Sequence, residues 1–259
     1  MIPLRDNNPS SRFPSLNLFL IAVCAGAFIL QLDGGAGEEI VEKYGMIPAR
    51  VLHPDEPVVL RVPVPVHTTR GTVMAYQERV AAETPFHPWL TLLTCMFLHG
   101  GWLHVIGNMW CLWIFGDNVE DRMGHVRFFV FYLLCGALAA AGQVFVTPGS
   151  LVPTVGASGA IAGVMGAYLV LYPRSRILTL IPVFVFIQLI EIPAIYFLLF
   201  WFVIQFFSGV GSLATSAGEA SGGIAFWAHV AGFVAGTLGV LLFRRPERQR
   251  VEWWHDPRR

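Results

Sequence analysis

Two apolar stretches of this chain each carry one side chain able to do chemistry. The first is Gly156-Ala157-Ser158-Gly159-Ala160-Ile161-Ala162-Gly163-Val164-Met165-Gly166-Ala167-Tyr168, in which Ser158 supplies an aliphatic hydroxyl. The second is Ala225-Phe226-Trp227-Ala228-His229-Val230-Ala231-Gly232-Phe233-Val234-Ala235-Gly236, in which His229 is the one ionisable group. A serine hydroxyl is a weak nucleophile until an adjacent base takes its proton, and a neutral imidazole is such a base. Taken alone, Ser158 reads as one more small packing residue, bonded back to a carbonyl of its own helix. His229 shifts the balance, because an ionisable residue inside an apolar helix is by default a functional group. Both stretches also have small-residue faces, Gly159/Gly163 and Ala162/Gly166 on the first and Gly232/Gly236 on the second. Such faces let helix backbones approach closely enough to bring a hydroxyl and an imidazole together.

The positioning elements follow from composition. The chain has 259 residues, of which 55% are hydrophobic and 13% charged, about half the charged fraction of roughly 25% usual for a soluble domain. Its mean hydropathy is +0.60. These values, with several long apolar runs, indicate an all-α, polytopic membrane helix bundle. The net charge is zero and no basic patch is interleaved with exposed aromatics, so nucleic acid is not an expected partner. Cys24, Cys95, Cys111 and Cys135 lie in or beside apolar runs without paired spacing and read as core residues.

The apolar runs are Leu16 to Leu32, Trp89 to Phe115, Phe128 to Val146, Val155 to Tyr172, Ile192 to Val210 and Ile224 to Phe243. They predict six spans within a membrane domain over 15–243, between a tail at 1–14 and a basic tail at 244–259. Residues 33–88 form the one long polar segment, with a strand-like piece (Val58 to Val66) and a helix-like piece (Val73 to Ala82). Residues 177–190 are too few for a further crossing and read as an interfacial or re-entrant piece. Arg5, Arg12, Arg122, Arg127, Arg174, Arg176, Arg244 and Arg245 flank the runs at alternate ends, whereas 147–154 and 211–223 hold no Lys or Arg. The positive-inside rule then places both termini in the cytoplasm and 33–88 outside.

Depth tests whether the polar residues can meet. At a rise of ~1.5 Å per residue, Ser158 lies ~24 Å above Arg174, His229 ~22 Å above Arg244, Asn108 ~21 Å above Arg122, and His104 ~27 Å above Arg122. In a hydrocarbon core ~30 Å thick these four share the outer half of the membrane. Attack on a peptide carbonyl by Ser158 would build an oxyanion, for which the Asn108 amide, a His104 ring nitrogen and the Ser158 backbone N–H are candidate donors. No carboxylate reaches this depth to orient His229, so the residues read as a dyad. Gly156-Ala157-Ser158-Gly159-Ala160 is not G-x-S-x-G, because position 160 is Ala. His99 and His104 are five apart with no Glu between them, so no zinc helix is indicated and no metal or other cofactor is expected. His99 is expected to bond to loop backbone at the head of the second helix.

With these residues in view, the chain resembles the rhomboid intramembrane serine proteases of the compact bacterial type with six helices. The resemblance covers most of 88–243. It rests on Gly156-Ala157-Ser158-Gly159, Ala228-His229-Val230-Ala231-Gly232, His104-Val105-Ile106-Gly107-Asn108, Gly116-x-x-x-Glu120-x-Arg122 and Glu191-Ile192-Pro193-Ala194. It implies Ser158 as nucleophile, His229 as base, and His104 and Asn108 on the oxyanion side. It implies transmembrane protein substrates cut near their outer ends, and a bacterial inner-membrane location. Two positions depart from the pattern. Trp89 is followed by Leu90 where many relatives have a Trp-Arg pair. Ala162 stands where some relatives stack a Tyr on the catalytic His, so either another aromatic supports His229 or it is held less tightly. The run Tyr196 to Phe202 has no small-residue face, so the fifth helix is expected to move most easily and to gate lateral access. Two other function classes compete. An inactive rhomboid-like scaffold would lack the Ser or the His, and both are here. A small channel or transporter would line a pore with them, and no inverted repeat supports that.

Overall fold

The computed structural model describes residues 1–68, 71–183, 186–214 and 225–245. The chain is mostly helical, but it is not all-α. Its helices are α1 (Ser15–Gln31), α2 (Gly34–Tyr44), α3 (Pro48–Leu52), α4 (Thr91–Thr94), α5 (Trp102–Met123), α6 (His125–Val146), α7 (Ser158–Leu171), α8 (Ala194–Ala214) and α9 (Phe226–Phe243). Its strands are β1 (Ile2–Asp6), β2 (Val59–Thr68), β3 (Gly71–Val80), β4 (Arg176–Val183) and β5 (Phe186–Pro193). Among the described residues α6, α8 and α9 are long and apolar enough to cross a membrane, and the run Pro88–Phe97 with α5 makes a fourth candidate, bent by 80°. Helices α1 and α7 are apolar but shorter.

Several boundaries differ from the sequence reading. The run from Trp89 is not one helix, because Gly100 and Gly101 break it and the chain turns before α5 begins. α5 then continues past the expected end at Phe115 to Met123, since its polar last turns are helical too. The segment 33–88 is no single loop: it holds α2, α3 and the β2–β3 hairpin. The strand-like piece is β2, but the helix-like piece is β3, paired with β2 from Val59↔Val80 to Thr68↔Gly71. Residues 177–190, read as interfacial or re-entrant, form the β4–β5 hairpin, and β1 adds to its edge in the order β1-β4-β5. Most of the polar loop at 211–223 and of the tail at 244–259 lies outside the described residues.

The core is aromatic at its centre, where Phe115, Phe128, Phe131, Tyr132 and Tyr168 are fully buried. The four cysteines are free; Cys24 and Cys135 are buried in that core, and Cys95 in a smaller cluster with Met46, Val51, Ala140 and Val144. Far from Ser158, the N-terminal segment is pinned to α5 and α7. Asp6 accepts hydrogen bonds from Asn118 Nδ2 and from the Tyr168 hydroxyl, and burial pushes its carboxyl up to about 6. The buried Glu120 accepts from the Leu16 and Asn17 backbone N–H groups at 3.0 and 2.8 Å. It thereby satisfies donors that the first turn of α1 leaves free, with its charge at the favourable end of the helix dipole. A Cβ at Gly116 would overlap the Asn17 side chain, which instead reaches Leu112 O. The Gly116-x-x-x-Glu120 spacing thus seats α1 on α5.

α7 is clasped between α6 and α9 by absent side chains. Cβ atoms at Gly159 and Gly163 would strike Ala139 and Cys135 of α6, and those at Gly232 and Gly236 would strike the carbonyls of Gly159 and Gly163. The contacts 159·232 and 163·236 advance together, so α7 and α9 run parallel with their N-termini at one end. Gly236→Val is expected to destabilise the fold by about 1–3 kcal/mol, the usual cost of overpacking against atoms that cannot give way. Thermal unfolding checks this; an unchanged melting temperature would mean that α9 does not rest on the α7 backbone.

Candidate active site

Ser158 is the first residue of α7, and His229 lies in the first turn of α9. Because the two helices are parallel and in backbone contact, both side chains emerge at one level. Ser158 Oγ and His229 Nε2 are 2.7 Å apart. The first N–H groups of α7 have no partner within the helix, and they carry the positive end of its dipole. The N-terminus of α9 is held by α6, where Gln143 Oε1 accepts from Ala228 N–H at 3.2 Å.

The chain enters α7 through Gly156, whose φ is +127°, in the left-handed range that glycine tolerates. Its N–H donates to Cys95 O at 2.9 Å, and the preceding Thr154 exchanges two backbone bonds with Met46. The segment between α2 and α3 therefore supports the loop that delivers Ser158. A Cβ at Gly156 would lie 2.7 Å from His104 Nε2 and 3.6 Å from Ser158 Oγ. Glycine leaves that space open between the two side chains.

α5 supplies the other polar residues. His104 Nδ1 accepts from Gly100 N–H at 3.2 Å, which leaves the ring proton of a neutral imidazole on Nε2, facing Gly156. Asn108 is 8% exposed, and its Nδ2 has no hydrogen-bond partner among the described residues. Ser158, His229, His104 and Asn108 all line one cavity of about 750 Å³, ample for a short peptide segment. The four residues that the depth count puts in the outer half of the membrane thus share this cavity. A hydroxyl so placed can give its proton to Nε2, and the orphaned amide is a donor with nothing yet to bond.

The His99 ring packs edge-on against His104 at 5.3 Å and meets the backbone of Phe97, in the loop before α5. The His99 backbone is held as well, by both ends of the Gln31 amide. Of the two alternatives left open by Ala162, the structure has an aromatic beside His229: Trp201, with ring centroids 5.9 Å apart. Sequence reasoning missed Gln205, whose Oε1 lies 2.7 Å from His229 Nδ1. Its signal was available: Gln205 is the one amide in the apolar run from Ile192 to Val210. In its most apolar stretch α8 is 22% buried, against 28% for α9 and 39% for α6. Phe197 is buried against Phe115, and Trp201 packs on His229 and Phe233.

Comparison with known proteins bears on the same residues. A family model described as the Rhomboid domain matches residues 87–246, which include α5 to α9. The chain is 33% identical over 109 residues to "Rhomboid protease GluP" of Bacillus subtilis, covering 42% of this chain and 21% of that protein. It is 28% identical over 172 residues to "Rhomboid protein 1, mitochondrial" of Saccharomyces cerevisiae, covering 62% and 44%. It is 27% identical over 182 residues to "Presenilin-associated rhomboid-like protein A, mitochondrial" of Danio rerio, covering 65% and 42%. The chain thus spans less than half the length of each of these three relatives. With its apolar helices, the match makes this an integral membrane protein.

Proposed function

This chain belongs to the rhomboid family, and on that premise we propose that it is an intramembrane serine endopeptidase. It hydrolyses peptide bonds in or near transmembrane segments of other membrane proteins. Ser158 is the nucleophile and His229 the general base. Ser158 Oγ attacks the scissile carbonyl carbon as its proton passes to His229 Nε2. The oxyanion is received by Asn108 Nδ2, His104 Nε2–H and the Ser158 backbone N–H. Collapse of the intermediate expels the amine, which takes the proton back from His229. A water then releases the acyl group from Ser158, with His229 again as base.

The observation that carries this reading is the 2.7 Å contact between Ser158 Oγ and His229 Nε2, in a cavity that also holds the partnerless Asn108 amide. The chain crosses the membrane six times. α1 and α7, about 26 and 21 Å long at ~1.5 Å per residue, and the bent pair each count as one crossing beside α6, α8 and α9. Both termini are cytoplasmic, the site opens toward the outer face, and the membrane is a bacterial inner membrane. A membrane domain over 15–243 carries the whole activity. The test is a fluorophosphonate probe on the detergent-solubilised protein. It is expected to label the wild type on Ser158 and to leave Ser158→Ala unlabelled. An unlabelled wild type, or labelling that survives in Ser158→Ala, would remove the protease reading and favour a scaffold that only binds transmembrane clients.

A further inference from the structure

We propose that Gln205 is a positioning residue that completes the site as the third member of a Ser158–His229–Gln205 relay, a role that rests on the protease reading above. The oxygen of a carboxamide only accepts hydrogen bonds. Gln205 Oε1 stands 2.7 Å from His229 Nδ1, so the ring proton of neutral His229 is on Nδ1. Nε2 is then bare, and it is Nε2 that faces Ser158 Oγ at 2.7 Å. The opposite tautomer would present an N–H to the hydroxyl and could not take its proton. Gln205 therefore selects the one neutral form of His229 that can act as a base.

The second contact comes from the same face of α8. Trp201 precedes Gln205 by four residues, one helical turn, so the two side chains lie one above the other. The Trp201 ring packs along the His229 imidazole at 5.9 Å with 36° between planes. One side chain thus sets the proton and the other the plane of the ring. An amide suits this place. An ionised carboxylate would orient the ring equally well, but at this depth it would carry a heavy desolvation cost. The amide does the same work neutrally. Both contacts to the base come from α8, while Ser158 and His229 stand on α7 and α9. Alignment of the base therefore depends on α8 being seated against α9, and displacement of α8 releases the imidazole from both restraints.

The experiment compares wild type, Gln205→Met, Gln205→Glu and Ser158→Ala, full-length, with a transmembrane substrate in proteoliposomes. Gln205→Met keeps the length and loses the acceptor. It is expected to lower kcat by about 10–100-fold, below the ~10⁴-fold seen where the wrong tautomer is locked in, with KM within twofold and the melting temperature unchanged. Gln205→Glu restores an acceptor and is expected to recover most of kcat. A readout free of substrate is the ¹⁵N spectrum of His229, expected to show Nδ1–H in the wild type and a tautomer mixture in Gln205→Met. Turnover of Gln205→Met within twofold of wild type, no recovery in Gln205→Glu, or an Nε2–H wild-type ring would each overturn the proposal. If instead the wild type neither cleaves nor reacts with the fluorophosphonate, the protease reading fails and the relay fails with it, while the ¹⁵N spectrum still decides whether Gln205 holds the His229 proton.

Discussion

Ser158→Ala and His229→Ala are each expected to bring cleavage of a transmembrane substrate to background, a loss of at least about 10⁴-fold in kcat. Without Oγ no acyl intermediate forms. Without the imidazole the hydroxyl keeps its proton, because the described residues offer no second base within reach: His104 Nδ1 is already occupied by Gly100 N–H, and its Nε2 carries the ring proton. The two losses should not add, since hydroxyl and imidazole act as one unit. Stability separates this from a folding defect. Ser158 is half-buried at the cavity wall, and its Oγ is bonded to His229, so Ala fits its place and the melting temperature should hold. His229→Ala also removes the ring against Trp201, so a modest fall is expected there. Cleavage within tenfold of wild type in either purified variant would end the assignment of the pair.

Asn108→Ala is expected to lower kcat by about 10²–10³-fold, the usual loss of one oxyanion donor. The amide is buried on α5 with Nδ2 unbonded among the described residues. A buried donor left so costs about 1–3 kcal/mol. A group that served only to tie helices together would be found bonded to a neighbouring helix. No described residue bonds its donor, and the developing oxyanion is what would fill that position. Removing it should therefore leave KM and the melting temperature nearly as they were, and the melting temperature could even rise as the desolvated amide is lost. A lowered melting temperature with near-normal turnover per folded molecule would assign Asn108 to assembly instead.

Ser158, His229, Asn108 and His104 were legible because helix rise is constant. Counting residues from a charged end measures depth, and depth put Ser158, His229 and Asn108 at one level with His104 just above. The Gly159/Gly163 and Gly232/Gly236 faces were legible for a similar reason, since spacing of four decides which glycines share a face. Gln205 was not found, because a third group was sought among carboxylates and an amide carries no charge to draw notice. The Gln31 amide that holds the His99 backbone was not found either, because spacing says nothing of which atoms of a residue are held. β3 was misread because Met74, Ala75, Gln77, Glu78 and Arg79 are good helix formers. Pairing along the whole of β2 overrides that preference, as sheet context often does. The pairing of β4 with β5 was not seen in a stretch read as interfacial or re-entrant, because apolar strands and apolar helix fragments of this length look alike without their partners.

The bare contact between α7 and α9 has a consequence for how the protein can change. Where Gly232 and Gly236 lie on the carbonyls of Gly159 and Gly163, the spacing of the two helices that carry hydroxyl and imidazole is set by main-chain atoms. The face of α8 that meets His229 is held by side chains alone, through Gln205 and Trp201. The two halves of the site therefore differ in tolerance to mutation. The glycine seam admits almost no alternatives, so the reacting pair is insulated from drift in the surrounding sequence. The outward faces of α8 can vary freely, and a lineage could retune which substrates it accepts along that helix without disturbing the distance on which the chemistry depends.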